Sequence, residues 1–209
     1  RGAKVRLPGG REMAPKKFVR AARIARQDGE DGAERKYLLT ASIPYDMLGQ
    51  ARRAMALWNR IQREAGDKEE HEAQALALQN QGLLYLRRGE VPRAMDNFQR
   101  ALKVFEQMKA KRHLARINDN LSQAHEMMGN IDQAVHHISR ALELSSEINY
   151  LEGVAIFSNN LGQLMLTQGE LDEASRHFQS ALNMSRKIGD RRIESLASGN
   201  IGLAAAMEG

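Results

Sequence analysis

Apolar residues recur along this chain at helical spacing, and glycine interrupts them at even intervals. Ala155, Leu161, Gly162 and Met165 fall on one side of a predicted helix. Gly169 follows where the helix end needs a left-handed residue, a state that glycine enters without a Cβ clash. The next segment opens with Glu170-Leu171-Asp172, acidic where the positive end of a helix favours it. It then carries Ala174, Phe178, Ala181 and Leu182 as a second buried stripe. The pattern predicts a close pair of helices, with alanine where they approach and Phe178 filling the space one turn on.

This helix–turn–helix unit repeats. Ala54, Ala94, Ala134 and Ala174 stand forty residues apart, each five residues after a glycine (Gly49, Gly89, Gly129, Gly169). Matching copies begin at Asn80, Asn120 and Asn160, and another opens at Asn200 and stops after its first helix. A strict metre of this kind marks a stack of identical units rather than one globular core. The predicted organisation is a basic arm with a short helix over 1–31, a divergent first unit over 32–68, and full units over 69–108, 109–148 and 149–188. A lone first helix then occupies 189–209. Pro92 takes the first turn of a second helix, where its missing N–H costs nothing. Pro44 lies inside the first helix of the divergent unit, at a cost of about 3 kcal/mol, and predicts a kink or break before Tyr45.

Composition fits this picture. Aromatics make up only 5 % of the residues, which suits thin layers packed through Ala and Leu. The chain has no cysteine, which excludes disulfides and thiolate metal sites and suits a reducing, cytoplasmic setting. No apolar run reaches the roughly 18 residues of a membrane helix. Arg1 in place of Met, and a last unit cut short, lead to the expectation of a processed piece. Residues 1–27 hold nine Lys/Arg against Glu12 alone, so of the net +5 this segment carries +8 and the remainder −3.

Leu161-Gly162-x-x-Met165-x-x-x-Gly169-x-x-x-x-Ala174-x-x-x-Phe178-x-x-Ala181 resembles the tetratricopeptide repeat consensus. The match includes the small residue at the eighth position of the unit and the alanines at the twentieth and twenty-seventh. Gly82 and Gly202 keep the small residue, and Ser122 replaces it. The forty-residue length resembles the Pins/LGN adaptor group and the Rap/PlcR-type peptide receptors. The resemblance implies an all-α, right-handed superhelix, an α-solenoid of antiparallel helix pairs, whose first helices line a concave groove. Rap-type proteins act on a phosphoryl group through a separate N-terminal helical bundle, for which this chain has little room.

In that register the sixth position is asparagine in every copy: Asn80, Asn120, Asn160 and Asn200. Asparagine is a poor interior helix residue. Its amide can hold a peptide backbone, as related repeats do, or can bond the neighbouring helix and set the geometry between units. Beside it lie Gln79, Asp119, Asn159, Gln123, Gln163, Arg87 and Arg116, a mixed polar lining, with Leu76, Leu83 and Leu86 as an apolar patch. The Lys and Asn of the carboxylate clamp of chaperone-binding repeats are missing from the fifth and ninth positions. The lining therefore suits an extended or amphipathic segment of a protein partner.

No catalytic constellation, phosphate loop, cofactor motif or metal site is found, so the chain is expected to be a non-enzymatic scaffold. His125 begins a zincin-like run but lacks a second histidine four residues on. His137 and His177 occupy one position in successive units with no third ligand. Residues 1–12 are Gly/Pro-punctuated and predicted to be extended or disordered unless bound. A short helix over 14–27 places Phe18, Ala21, Ala22 and Ala25 on one side, with Lys17, Arg20 and Arg23 on the other. Together with Lys16 and Arg26, these cations offer an alternative role, contact with nucleic acid or an acidic partner. Their plainer reading is a solvated capping helix. Ile201, Leu203 and Met207 on the last helix have no following helix to cover them, which leaves self-association, or packing on further chain, open.

Overall fold

The computed structural model describes residues 5–6, 12–13, 15–63 and 71–208. The described residues form an all-α array: α1 (Pro15–Gln27), α2 (Asp31–Met47), α3 (Ala51–Arg63), α4 (His71–Arg87), α5 (Val91–Gln107), α6 (Lys111–Met127), α7 (Ile131–Glu147), α8 (Leu151–Gln168), α9 (Leu171–Ile188) and α10 (Arg191–Glu208). Two short strands precede them, β1 (Val5–Arg6) and β2 (Glu12–Met13), paired antiparallel with Val5 opposite Met13. The shortened connection at 64–69 lies outside the described residues.

Each hairpin turn is closed by the same two backbone bonds. Gly49 N–H donates to the Asp46 carbonyl at 2.9 Å, and Gln50 N–H to that of Tyr45 at 2.8 Å. The pair recurs at Gly89/Glu90, Gly129/Asn130 and Gly169/Glu170. This 6→1, 5→2 pattern needs a left-handed residue, and the four glycines have φ between 70° and 83°. Between hairpins the same pattern returns at Lys109, Asn149 and Gly189, with φ of 52°, 53° and 74°. Two of those positions carry a side chain in a backbone state that disfavours one.

The hairpins depend on contact at the eighth position. A Cβ on Gly82 would lie 2.3 Å from the Phe98 ring, and one on Gly162 would lie 2.6 Å from that of Phe178. No real side chain fits there. Where serine stands instead, its hydroxyl is put to use. Trp58 Nε1 donates to Ser42 Oγ at 2.7 Å, and Ser122 Oγ donates to the Ala134 carbonyl at 2.8 Å. Trp58, Phe98, Ile138 and Phe178 are all buried as a result.

Two compact units are present, Arg1–Val104 and Phe105–Gly209, divided within α5. In the first, Leu38, Tyr45, Ala54, Trp58, Ile61, Ala77 and Leu84 build a core to which α1 contributes Ala22. In the second, Ile138, Leu144, Phe157, Leu161, Leu164 and Phe178 do the same, with Ala204 of α10. The break expected at Pro44 does not occur, because α2 runs unbroken to Met47. Pro44 is fully buried in the last turn, and its carbonyl still accepts from Leu48 N–H at 3.1 Å. Tertiary packing holds a residue that the helix alone would reject.

The segment read as a basic arm carries a packed helix. α1 lies against α2 and buries Ala22 and Ala25. Its residues continue the metre one period earlier, with Gly9, Ala14, Phe18 and Ala21 standing forty before Gly49, Ala54, Trp58 and Ile61. α1 is therefore a helix of the second type.

These contacts set the expected effect of substitutions at two kinds of position. Helix propensity alone favours Ala over Gly by about 1 kcal/mol. Gly162→Ala should nonetheless destabilise the chain by about 1–3 kcal/mol through overpacking on Phe178. Gly202→Ala, with nothing within 4 Å of the new Cβ, should stabilise it. Equal shifts in urea midpoint for the two would remove the ring contact as the cause. Lys109→Gly should raise stability by about 1 kcal/mol by relieving the left-handed backbone, and Asn149→Gly by less, because asparagine tolerates that state. Thermal melts that rank the two in the opposite order would contradict this.

Candidate partner-binding surface

In the second unit the first helices α6, α8 and α10 pack side by side, α8 in the middle. Their inward-assigned positions form a polar strip centred on Asp119. Asn160 Nδ2 donates to Asp119 Oδ1 at 2.9 Å, and Gln123 Nε2 to Asp119 Oδ2 at 3.0 Å. Burial pushes the Asp119 carboxyl above its ordinary value of 3.8, against the two amide bonds and the nearby Arg116 charge, which act the other way. One layer on, Asn200 Nδ2 donates to Asn159 Oδ1 at 2.9 Å. In both layers the sixth-position asparagine bonds the fifth-position residue of the preceding unit. These amides thus bond a neighbouring helix, which is one of the two roles open to them on sequence grounds.

Exposure divides the expected lining. Arg116 and Gln163 are exposed, while Asp119, Gln123, Asn160 and Asn200 are partly so. Asn120 and Asn159 are packed inside at 5 % and 7 % exposure, too little to lie along a ligand. Asn120 Nδ2 has no hydrogen-bond partner there. In the first unit, Leu76, Leu83 and Asn80 are partly exposed and Arg87 is exposed, its guanidinium paired with Asp46. Gln79 is buried, its Oε1 unbonded, and Leu86 is in the core at 6 % exposure. The apolar patch therefore presents Leu76 and Leu83 without Leu86. The cause lies in the helix stripe, since Leu86 stands on the same face as Leu78 and Gly82, eight and four residues earlier, which are buried too.

Sequence reasoning missed two polar links. Buried Gln81 donates through Nε2 to Asn59 Oδ1 at 2.8 Å and accepts from Gln62 Nε2 at 2.7 Å, tying α4 to α3. Asn118 Nδ2 donates to the Leu114 carbonyl at 2.8 Å, which orients Oδ1 to accept from His137 Nδ1 at 2.9 Å. The His137 ring also stacks on His125, with centroids 5.3 Å apart, and meets His136 edge-on. Among the described residues no three metal-ligating side chains converge.

On α1, Lys16, Lys17, Arg20 and Arg23 are exposed opposite the face that buries Ala22 and Ala25 on α2, and Arg26 is exposed beside that face. No helix among the described residues is long and apolar enough to cross a membrane.

A family model described as Tetratricopeptide repeat matches residues 113–207. That segment, α6 to α10, is a tetratricopeptide repeat array. Its fold is similar to that of BtubC from P. vanneervenii, at 19 % identity and a TM-score of 0.67, covering 93 % of this chain and 91 % of that one. It is similar also to aspartyl phosphate phosphatase F from Bacillus subtilis, at 18 % identity and a TM-score of 0.79, covering 90 % of this chain and 50 % of that one. PcrH, solved with the chaperone-binding region of PopD, gives 20 % identity and a TM-score of 0.54, covering 70 % of this chain and 99 % of that one. At such identities the likeness shows the repeat fold and nothing finer. The chain spans half the length of phosphatase F. No curated protein sequence matches it.

The histidine cluster of this repeat protein makes a pH prediction. Burial, then the charges of His125 and His136, lower the His137 pKa from 6.5 to about 4. The unfolded chain therefore takes up a proton near 6.5 that the folded chain refuses until about 4. The stability contributed by neutral His137 is full above 6.5 and lost as pH falls towards 4. His137→Gln, which keeps a donor for Asn118, should flatten the fall in Tm across that window. An unchanged pH–Tm curve in the variant would contradict the assignment.

Proposed function

We propose that this chain is a non-enzymatic interaction scaffold that holds an extended or amphipathic segment of a partner protein along its first helices. The observation that carries this reading is the Asp119 strip on α6, α8 and α10. There, side chains are positioned by one another across helices while Arg116 and Gln163 stay open to solvent. Interlocked amides hold the surface in one geometry without a ligand, which lowers the ordering cost of binding. Asn160 and Asn200 each keep a carbonyl oxygen and one N–H for a peptide group. Arg116 and Arg87, with Leu76 and Leu83, supply selectivity. The PopD segment bound by PcrH offers a precedent for a peptide-like partner on this fold. No catalytic step is assigned, and a cysteine-free chain suits the cytoplasm.

Selection of a random peptide library on the folded chain tests this. Wild type should enrich a family of related sequences, and Arg116→Glu with Gln163→Ala should weaken their binding about tenfold or more at unchanged Tm. Asn160→Ala should lose both binding and stability, since it strips Asp119 of a donor. Selected peptides that bind the Arg116/Gln163 variant as well as wild type would refute the assignment.

An alternative reading rests on the exposed basic face of α1, which could meet nucleic acid or an acidic partner. Reversal of Lys16, Lys17, Arg20 and Arg23 to Glu is the suitable test, because deleting α1 would uncover Leu38. Filter binding to DNA and RNA should show a logarithmic salt slope that shrinks by about 0.9 for each phosphate no longer neutralised. No salt-sensitive binding by wild type excludes this alternative.

A further inference from the structure

The inner face of the first unit differs from that of the second. At the ninth position α2 and α4 carry Ile43 and Leu83, where α6 and α8 carry Gln123 and Gln163. On α2, Leu39, Ile43 and Met47 stand four residues apart and so form one row along the helix. Ile43 and Met47 are 43 % and 52 % exposed, and Leu39 is half-buried. Leu76 and Leu83 occupy the matching face of α4, both partly exposed. The ion pair between Asp46 of α2 and Arg87 of α4 joins the two faces. Neither helix lacks a neighbour, since α2 packs between α1 and α3, and α4 packs on α3 and α2. A row of large apolar side chains left in solvent marks a place for another chain to cover.

The chemistry of the row selects the conformation of its occupant. An extended segment would lay its N–H and C=O groups over Leu39, Ile43 and Leu83, which offer them no hydrogen bond. Thr40, beside the row, has its hydroxyl donated to the Lys36 carbonyl at 2.8 Å. A helix satisfies its own backbone and brings an apolar stripe. Its i, i+4 ridge repeats at roughly 6 Å, the interval of the row itself.

Past Met47 the surface turns basic. Gly49, Gln50, Ala51, Arg52, Arg53 and Arg88 line an open hollow of about 560 Å³ at the hairpin turn. Arg53 donates to Gln50 Oε1 at 2.7 Å, while Arg52 and Arg88 make no ion pair among the described residues. In the register of the repeat, Arg52 stands where α7 and α9 carry Asp132 and Asp172. No acidic residue in the first turn of α3 offsets it. Carboxylates arriving from a partner complement this end of the row.

We infer that the inner face of the first unit receives an amphipathic helix of a protein partner. Its apolar stripe runs along Ile43, Met47 and Leu83, and acidic residues beyond the stripe meet Arg52 and Arg88. The inference rests on the reading of the chain as a scaffold for a partner segment, and gives that segment a conformation and a charge.

Selection of a display library of helical peptides, one face randomised, on the whole chain tests it. Wild type should enrich helices with apolar residues at i, i+4 spacing and Asp or Glu past one end. Ile43→Gln with Met47→Gln should weaken their binding about tenfold or more at unchanged Tm, because both side chains are exposed and Gln suits a helix. Arg52→Glu with Arg88→Glu should weaken it more at low salt than at high. Enriched helices without an acidic end overturn the inference, as do helices that bind the Ile43/Met47 variant as well as wild type. Failure of the helical library beside success of the random peptide library also overturns it, and leaves the scaffold reading standing. Failure of both libraries overturns both.

Discussion

The distance between the two helices of a hairpin is the constraint on which the rest of this protein depends. With no Cβ at Gly82 or Gly162, the rings of Phe98 and Phe178 reach the backbone of the facing helix. That approach buries the alanines of the metre at 0 % exposure and sets which residues of each helix remain outside. Serine meets the same requirement at Ser42 and Ser122 only because its hydroxyl finds a partner, the Trp58 indole in one case and a carbonyl in the other. A buried hydroxyl without a bond would cost more than the cavity it fills.

Repetition then turns a local contact into a surface. Because the hairpins recur in one register, side chains at the fifth and sixth positions meet their counterparts from the next unit, as Asp119 meets Asn160 and Asn159 meets Asn200. The strip on α6, α8 and α10 is thus a by-product of packing as much as a binding device. Its polarity is held in place by amides, with one half-buried carboxyl whose proton affinity is raised.

Much of this was legible from residues alone. Glycine at the hairpin turns announced the left-handed φ found at Gly49, Gly89, Gly129 and Gly169, since few other residues enter that state cheaply. The alanine metre announced the helix pairs. Lys109 gave no such signal, because the surrounding helices force on it a conformation that it does not prefer. Pro44 signalled a break that packing overrode. The helix α1 was legible from the spacing of Phe18, Ala21, Ala22 and Ala25, whereas its place in the metre is masked by its density of charge.

By itself the sequence determined the period, the helix type at each place and the turns, all of which follow from local backbone preference and from apolar spacing within one helix. Only the tertiary structure decided which polar side chains are spent on holding helices together. Asn120, Asn159 and Gln79 look equivalent to Asn160 and Gln163 in the linear pattern, yet the first three are enclosed and the last two reach solvent. That difference arises from how neighbouring helices sit against one another. A one-dimensional register names the face on which a residue stands, and the packing of the next helix decides how much of that face is left open.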